Sequence, residues 1–139
     1  MTAVAPDTAT RFRTAFLAHD LDQMAALLAP DCDMYPAAED KPYRGYTAGR
    51  AIISALMDTF DDARYLGELA GAVWHTGPAE AHALLFRGRV DNVVAQSIAL
   101  LQVDDSDRIA VLTYMVRPMS AVTAFSDLMR ARLAAEIID

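Results

Sequence analysis

From residue 61 to residue 117 apolar and polar positions alternate with a period of two, in four runs: ARYLGELAGAVWHT, EAHALLFRGRV, NVVAQSIALLQV and RIAVLTYMVRP. The runs are rich in Val, Ile, Leu and aromatic residues, and turn chemistry separates them: Gly77-Pro78, Asp91-Asn92 and the acidic DDSD at 104 to 107. Successive hairpins of this kind predict a four-stranded antiparallel meander. Before residue 61 the period is helical. Phe12, Ala15 and Phe16 share one face of a helix expected over 7 to 18, and HDLDQMAALLA restarts at once as a second helix. Asp20 caps that second helix, with Gln23 at capping-box spacing, and His19 sits in the turn where a left-handed backbone is expected. Ile52, Ile53, Leu56, Met57 and Phe60 stripe a third helix after Thr47, whereas Pro30, Pro36 and Pro42 keep the intervening chain out of helix. A closing helix follows Ser120, the expected N-cap, with Val122, Phe125, Leu128 or Met129, and Leu133 turned inward.

The hairpins also predict which side chains share a face. A two-residue turn at Asp91-Asn92 sets Phe86 opposite Ser97 and Leu84 opposite Ala99, and a four-residue DDSD loop sets Ser97 opposite Tyr114 and Ala99 opposite Leu112. One face is then expected to carry Tyr65, Leu69, Val73, His75, His82, Leu84, Phe86, Ser97, Ala99, Leu101, Leu112 and Tyr114. The other carries Trp74, Leu85, Arg87, Arg89, Gln96, Ile98, Leu100, Val111, Met115 and Arg117. Both are too apolar to be left in water, yet the few helices, clustered at the two ends of the chain, suffice for one. The uncovered face predicts a homodimer joined through Trp74, Ile98, Leu100, Val111 and Met115.

Composition narrows the picture further. With 139 residues and no linker or repeat, the chain is expected to form a single domain, 1–139. A net charge of −7 without a basic stripe argues against nucleic acid and membrane surfaces as partners. The N-terminus lacks the pattern of a signal peptide and the lone Cys32 has no intrachain partner, so a cytoplasmic protein with a reduced, core-type thiol is expected.

Candidate chemistry is sparse. Asp31 and Asp33 alternate on a short extended segment and would share a face, where they could hold a proton or a divalent ion; alternatively Asp31 caps or solvates the end of the second helix and Asp33 points to water. Glu39, Asp40 and Lys41 read as a surface ion cluster. No ligand spacing typical of a metal set appears, and neither metal nor cofactor is expected. His75 and His82 come off neighbouring strands and are candidates for acid–base work, or else half-exposed residues near the hairpin tip. Ser97 and Tyr114, facing each other across the inner wall, either satisfy one another or await a ligand oxygen.

Three stretches carry a family resemblance: AHDLDQMAALLAPDC, PYRGYTAGRAI and IAVLTYMVRPMSAV. With the helices, the proline-broken segment and the bent meander, they resemble the SnoaL-like branch of the nuclear transport factor 2-like superfamily. The resemblance implies an α+β cone: a curved antiparallel sheet, built of the four-stranded meander and short N-terminal strands, wrapped on one face by N-terminal helices and a C-terminal helix. Such folds host isomerases, cyclases, dehydratases, epoxide hydrolases and binding proteins. Ketosteroid-isomerase-like relatives use an Asp base, a Tyr and a protonated Asp; a gap-free comparison sets Pro36, Phe12 and Ala99 at those positions. Limonene-epoxide-hydrolase-like relatives need Arg-x-Asp, where this chain has Arg87-Gly88-Arg89. Scytalone-dehydratase-like relatives use inward histidines and tyrosines, matched here in residue type alone by His75, His82, Tyr65 and Tyr114.

Pocket-wall composition and resemblance together predict binding of a small hydrophobic molecule bearing one or two oxygens. The expected cavity is lined by Phe12, Phe16, Phe60, Leu84, Phe86, Ala99 and Leu112, with the Ser97 and Tyr114 hydroxyls as polar handles and Tyr35 and Tyr43 at the rim. The competing expectations are an isomerase, cyclase or dehydratase using His82 or His75 with Tyr114, and a structural or adaptor dimer.

Overall fold

The computed structural model describes residues 7–37, 39–74 and 78–137. Two short helices, α1 (Thr8–Leu17) and α2 (Leu21–Ala25), lead into β1 (Leu28–Tyr35) and the stub β2 (Tyr43–Arg44). Helix α3 (Tyr46–Thr59) follows, then β3 (Asp61–Trp74), β4 (Pro78–Val90), β5 (Val93–Val103), β6 (Ile109–Arg117) and helix α4 (Met119–Ile137). The strands form one curved, unclosed sheet in the order β2-β1-β6-β5-β4-β3. The expected α+β arrangement is therefore present, with α1, α3 and α4 packed on the sheet, α2 held against α1 and α3, and no helix among the described residues on the other face.

Local chemistry explains most boundaries. Asp7 caps α1 by accepting from the Thr10 backbone N–H at 2.8 Å, and Asp20 caps α2 by accepting from Gln23 at 3.1 Å. His19 takes the left-handed conformation expected of it, with φ 54°. Helix α2 is much shorter than the helical spacing of HDLDQMAALLA predicts. The Leu27 carbonyl accepts from the Ile109 N–H at 2.8 Å, and Leu28 pairs with Ile109 to begin a parallel β1–β6 ladder. Tertiary pairing overrides helix propensity here, and Pro30 bars any continuation of the helix. At the other end α4 starts at Met119, so Ser120 lies inside the helix and is not its cap. Its buried ridge is Ala121, Phe125, Met129 and Leu133, a strict fourfold spacing that selects Met129 over Leu128.

Two of the sheet's irregularities change the expected pairing, and one of them changes what faces the core. Asp91 and Asn92 both have positive φ, 47° and 67°, as a type I′ hairpin turn requires, and the β4–β5 register is the expected one: Phe86 opposite Ser97 and Leu84 opposite Ala99. The β5–β6 connection is longer than DDSD. Asp104 closes a loop through 108, its carboxylate accepting from the Ser106 and Arg108 N–H groups, with Asp107 at φ 59° and a bulge beside Val103. The register consequently moves by two residues. Tyr114 lies opposite Ala99, and Ser97 lies opposite Val116. A shift of two preserves faces, so Ser97 and Tyr114 stay on the inner side as diagonal neighbours and no longer directly opposed.

The second irregularity is a bulge in β3. Tyr65 pairs with Phe86 and Gly67 with Leu85, which leaves Leu66 over and inverts the faces of the rest of the strand. Leu69 and Val73 therefore join Leu85 on the outer face, contrary to expectation, and Glu68 turns inward opposite Leu84. Trp74, opposite Pro78, belongs by register to the helix side and leaves the expected association patch.

Candidate functional site

The inner face is an aromatic core. Phe12, Phe16, Phe60, Phe86 and Phe125 are fully buried, as are Leu84, Ala99 and Leu112. Phe16 meets Phe86 edge-on at 4.9 Å between centroids, Tyr114 stacks on Phe125 at 5.4 Å, and Phe60 approaches Tyr114 edge-on at 6.3 Å. The residues expected to line a cavity thus lie together, closed over by α1, α3 and α4. Tyr35 and Tyr43 are half-buried on the adjoining strands β1 and β2.

Within this apolar surround the Ser97 and Tyr114 hydroxyls are buried, and neither has a hydrogen-bond partner among the described residues. Burial drives the Tyr114 phenol well above its ordinary pKa, with a smaller opposing pull from the Ser97 hydroxyl, a diagonal neighbour close enough to be felt but outside hydrogen-bond geometry. Both groups are therefore neutral and able to donate or accept. A buried hydroxyl left unpaired costs roughly 1–3 kcal/mol, so two of them beside one another place an appreciable burden on the folded state.

A second polar cluster lies further along the inner face. His82 is 7% exposed, buried more deeply than its place near a hairpin tip suggests. Its Nδ1 is 3.1 Å from a Glu68 carboxylate oxygen and its Nε2 is 2.7 Å from one of Glu80. Two carboxylate acceptors call for two N–H donors, which only the protonated ring supplies. Burial alone would depress the His82 pKa, but the hydrogen bonds and charges of Glu80 and Glu68 outweigh it and hold the pKa above its ordinary value. Asp7 completes the group, its carboxyl held below the usual range chiefly by the Thr10 backbone N–H. One ligand atom each from Asp7, Glu68 and His82 lie within 4.8 Å of one another, so these three side chains could hold a metal ion only if the histidine surrendered a proton. His75 lies outside the described residues. Glu80 precedes His82 by two positions and so shares its face, a signal present in the sequence. Glu68 reaches the cluster only through the Leu66 bulge, which no local pattern announces.

The two clusters are separate. His82 and Tyr114 are two strands apart and one inner-face row apart, roughly 12 Å by ordinary sheet spacing. The acidic opening segment gathers no site either. Asp33 pairs with Arg44 at 3.4 Å, Glu39 with Arg130 at 3.7 Å, and Asp31 and Asp40 are exposed. Cys32 is buried, its thiol pushed up by burial and by Asp33 and Asp31, which makes it a poor nucleophile.

This arrangement of sheet and helices is shared with solved proteins. A steroid delta-isomerase from Pseudomonas aeruginosa is 28% identical, with a TM-score of 0.82 over 95% of this chain and 93% of that one. A bacterial protein with a cystatin-like fold from Silicibacter pomeroyi is 24% identical, with a TM-score of 0.81 over 93% and 86% of the two chains. A Mycobacterium tuberculosis protein in complex with estradiol-17beta-hemisuccinate is 15% identical, with a TM-score of 0.56 over 80% and 95%. No protein-family model and no curated protein sequence matches the chain. The fold is that of the SnoaL-like, nuclear transport factor 2-like proteins, the ketosteroid-isomerase-like α+β cone. No helix among the described residues is long and apolar enough to cross a membrane.

Proposed function

We propose that the protein binds a small hydrophobic molecule carrying one or two oxygens, and that it does so on the inner face of the cone at Ser97 and Tyr114. The observation that carries this reading is the pair of unpartnered buried hydroxyls inside an aromatic wall. Phe12, Phe16, Phe60, Phe86, Leu84, Ala99 and Leu112 supply the apolar contact, and a ketone or phenol oxygen supplies the missing hydrogen bonds. Access requires a covering helix to shift outward, and the ligand then shields from water the apolar side chains that this shift uncovers. The likeness to a steroid delta-isomerase and to a protein in complex with an estradiol ester makes rigid, ring-bearing ligands the first to try. Thermal unfolding with a library of phenols, aromatic ketones and steroids tests the reading. A concentration-dependent rise in melting temperature is expected for some member, and no response across the library sinks it.

The competing acid–base reading, with His82 or His75 as base and Tyr114 as donor, is less well supported. His82 has both ring nitrogens engaged and lies two strands and one row from Tyr114. We further propose that two copies associate through the uncovered sheet face. Ile98, Leu100, Val111 and Met115 form its apolar middle, and Leu66 and Leu69, 53% and 70% exposed, take the place of Trp74. Light scattering at micromolar concentration should give twice the chain mass; a monomer contradicts the association.

A further inference from the structure

At the end of the outer face nearest the Asp91-Asn92 turn, one row of the ladder crosses four strands and carries three arginines. Arg64 lies opposite Arg87, Arg87 opposite Gln96, and Gln96 opposite Arg117. Arg89, on the next outward position of β4, adds a fourth cation. Like charges set directly across an antiparallel pair repel. Among the described residues neither Arg64 nor Arg87 has a carboxylate within ion-pair distance, and Arg89 reaches only Asp62, at 4.0 Å. Arg117 donates to the Gln96 side-chain oxygen at 2.7 Å, which fixes the Gln96 amide with its N–H groups available as further donors. The chain as a whole has 19 acidic against 12 basic residues, so gathering a third of the basic ones on one edge of one face runs against its overall charge.

The row is also concave. A groove of about 710 Å³ is lined by Asp62, Arg64, Arg87 and Arg89, and it continues past Arg87 into a second groove of about 240 Å³ that reaches Gln96 and Arg117. Planar guanidinium forks at successive strand spacings match the oxygens of a phosphoryl or carboxylate group, each able to bind two of them.

We infer that this row is a binding site for a small polyanion bearing phosphoryl or carboxylate groups, with Arg64 and Arg87 as its principal ligands and Arg117 and Gln96 as its extension. It stands apart from the inner hydroxyl pair, on the opposite side of the sheet, and does not depend on the function proposed there. A polyanion relieves the Arg64–Arg87 repulsion at a place the fold otherwise leaves uncompensated. Carboxylates of a second copy are the rival occupant, and the mass and anion affinity of the Arg87→Gln variant, taken together, separate the two.

Calorimetric titration with pyrophosphate and with citrate, against sodium chloride at matched ionic strength, tests the assignment and distinguishes phosphoryl from carboxylate preference. Saturable binding with one anion per chain is expected for at least one probe. Arg64→Gln and Arg87→Gln should each weaken it about tenfold, whereas Arg11→Gln, on the exposed side of α1, should leave it unchanged. Circular dichroism of the variants establishes that these exposed substitutions leave the fold intact. Absence of saturable binding above the chloride control overturns the inference, as does binding that the two variants leave unaltered. A fall in mass on Arg87→Gln with no change in anion affinity overturns it in favour of a contact between copies.

Discussion

Tyr114→Phe removes a single oxygen from a deeply buried polar position of the inner face. The ring stays, and with it the stack on Phe125 and the edge contact with Phe60. What disappears is a hydroxyl with no partner among the described residues, which costs the folded state roughly 1–3 kcal/mol against about a few tenths for the one-atom void left behind. The variant should therefore be more stable than the parent by about 1 kcal/mol in the absence of ligand, or roughly 4 °C in melting temperature for a chain of this length. Ser97→Ala should act in the same direction. If the hydroxyls instead satisfied each other, either single change would orphan the survivor, each would destabilise, and the double variant would recover. A double-mutant cycle by guanidinium unfolding decides: additivity to within about 0.5 kcal/mol is expected, and a coupling of about 1 kcal/mol or more refutes the reasoning.

His82 supplies a pH dependence of definite sign. Its folded pKa is raised, so the stability it contributes is fully present below the unfolded value of about 6.5 and is lost as pH rises through the folded pKa. The stability difference between the parent and His82→Gln should accordingly shrink from pH 6 to pH 9; a difference that does not vary with pH counts against the ion cluster. Gly88 lies under Phe60, where an added Cβ would stand 2.6 Å from both the Asp61 carbonyl oxygen and the Phe60 ring. Gly88→Ala should destabilise by roughly 1–3 kcal/mol in chemical unfolding, and a neutral result contradicts the close approach. Met115→Glu, at an outward position of β6, should convert the expected dimer to monomer by light scattering while leaving the circular dichroism spectrum unchanged; persistence of the dimer excludes this face.

Where local chemistry dictates geometry, the sequence is a reliable guide. Asp91-Asn92 forms the tight hairpin turn and the register its residue types favour, and the apolar stripes of α1, α3 and α4 fall on the core as their spacing requires. The departures share a cause, in that each depends on a distant pairing or on a single extra residue. The parallel β1–β6 ladder shortens α2 from the far end of the chain, and the Asp104 loop adds length that DDSD alone does not reveal. The unpaired Leu66 exchanges Leu69 and Val73 for Glu68 on the inner face and moves Trp74 to the helix side. That one residue hides the Glu68 partner of His82 from any reading by strict alternation. Ser97 and Tyr114 are legible as inner-face neighbours because a register error of two leaves faces intact.

The proposed ligand contact is a hydrogen bond from these two hydroxyls to a ligand oxygen. Isothermal titration of the best library ligand into the parent protein and into the Ser97→Ala/Tyr114→Phe double variant measures this directly. Loss of two hydrogen bonds, each about 0.5–1.5 kcal/mol, should weaken binding roughly 5- to 150-fold although the variant itself is the more stable protein. Equal affinity for both proteins would contradict the account.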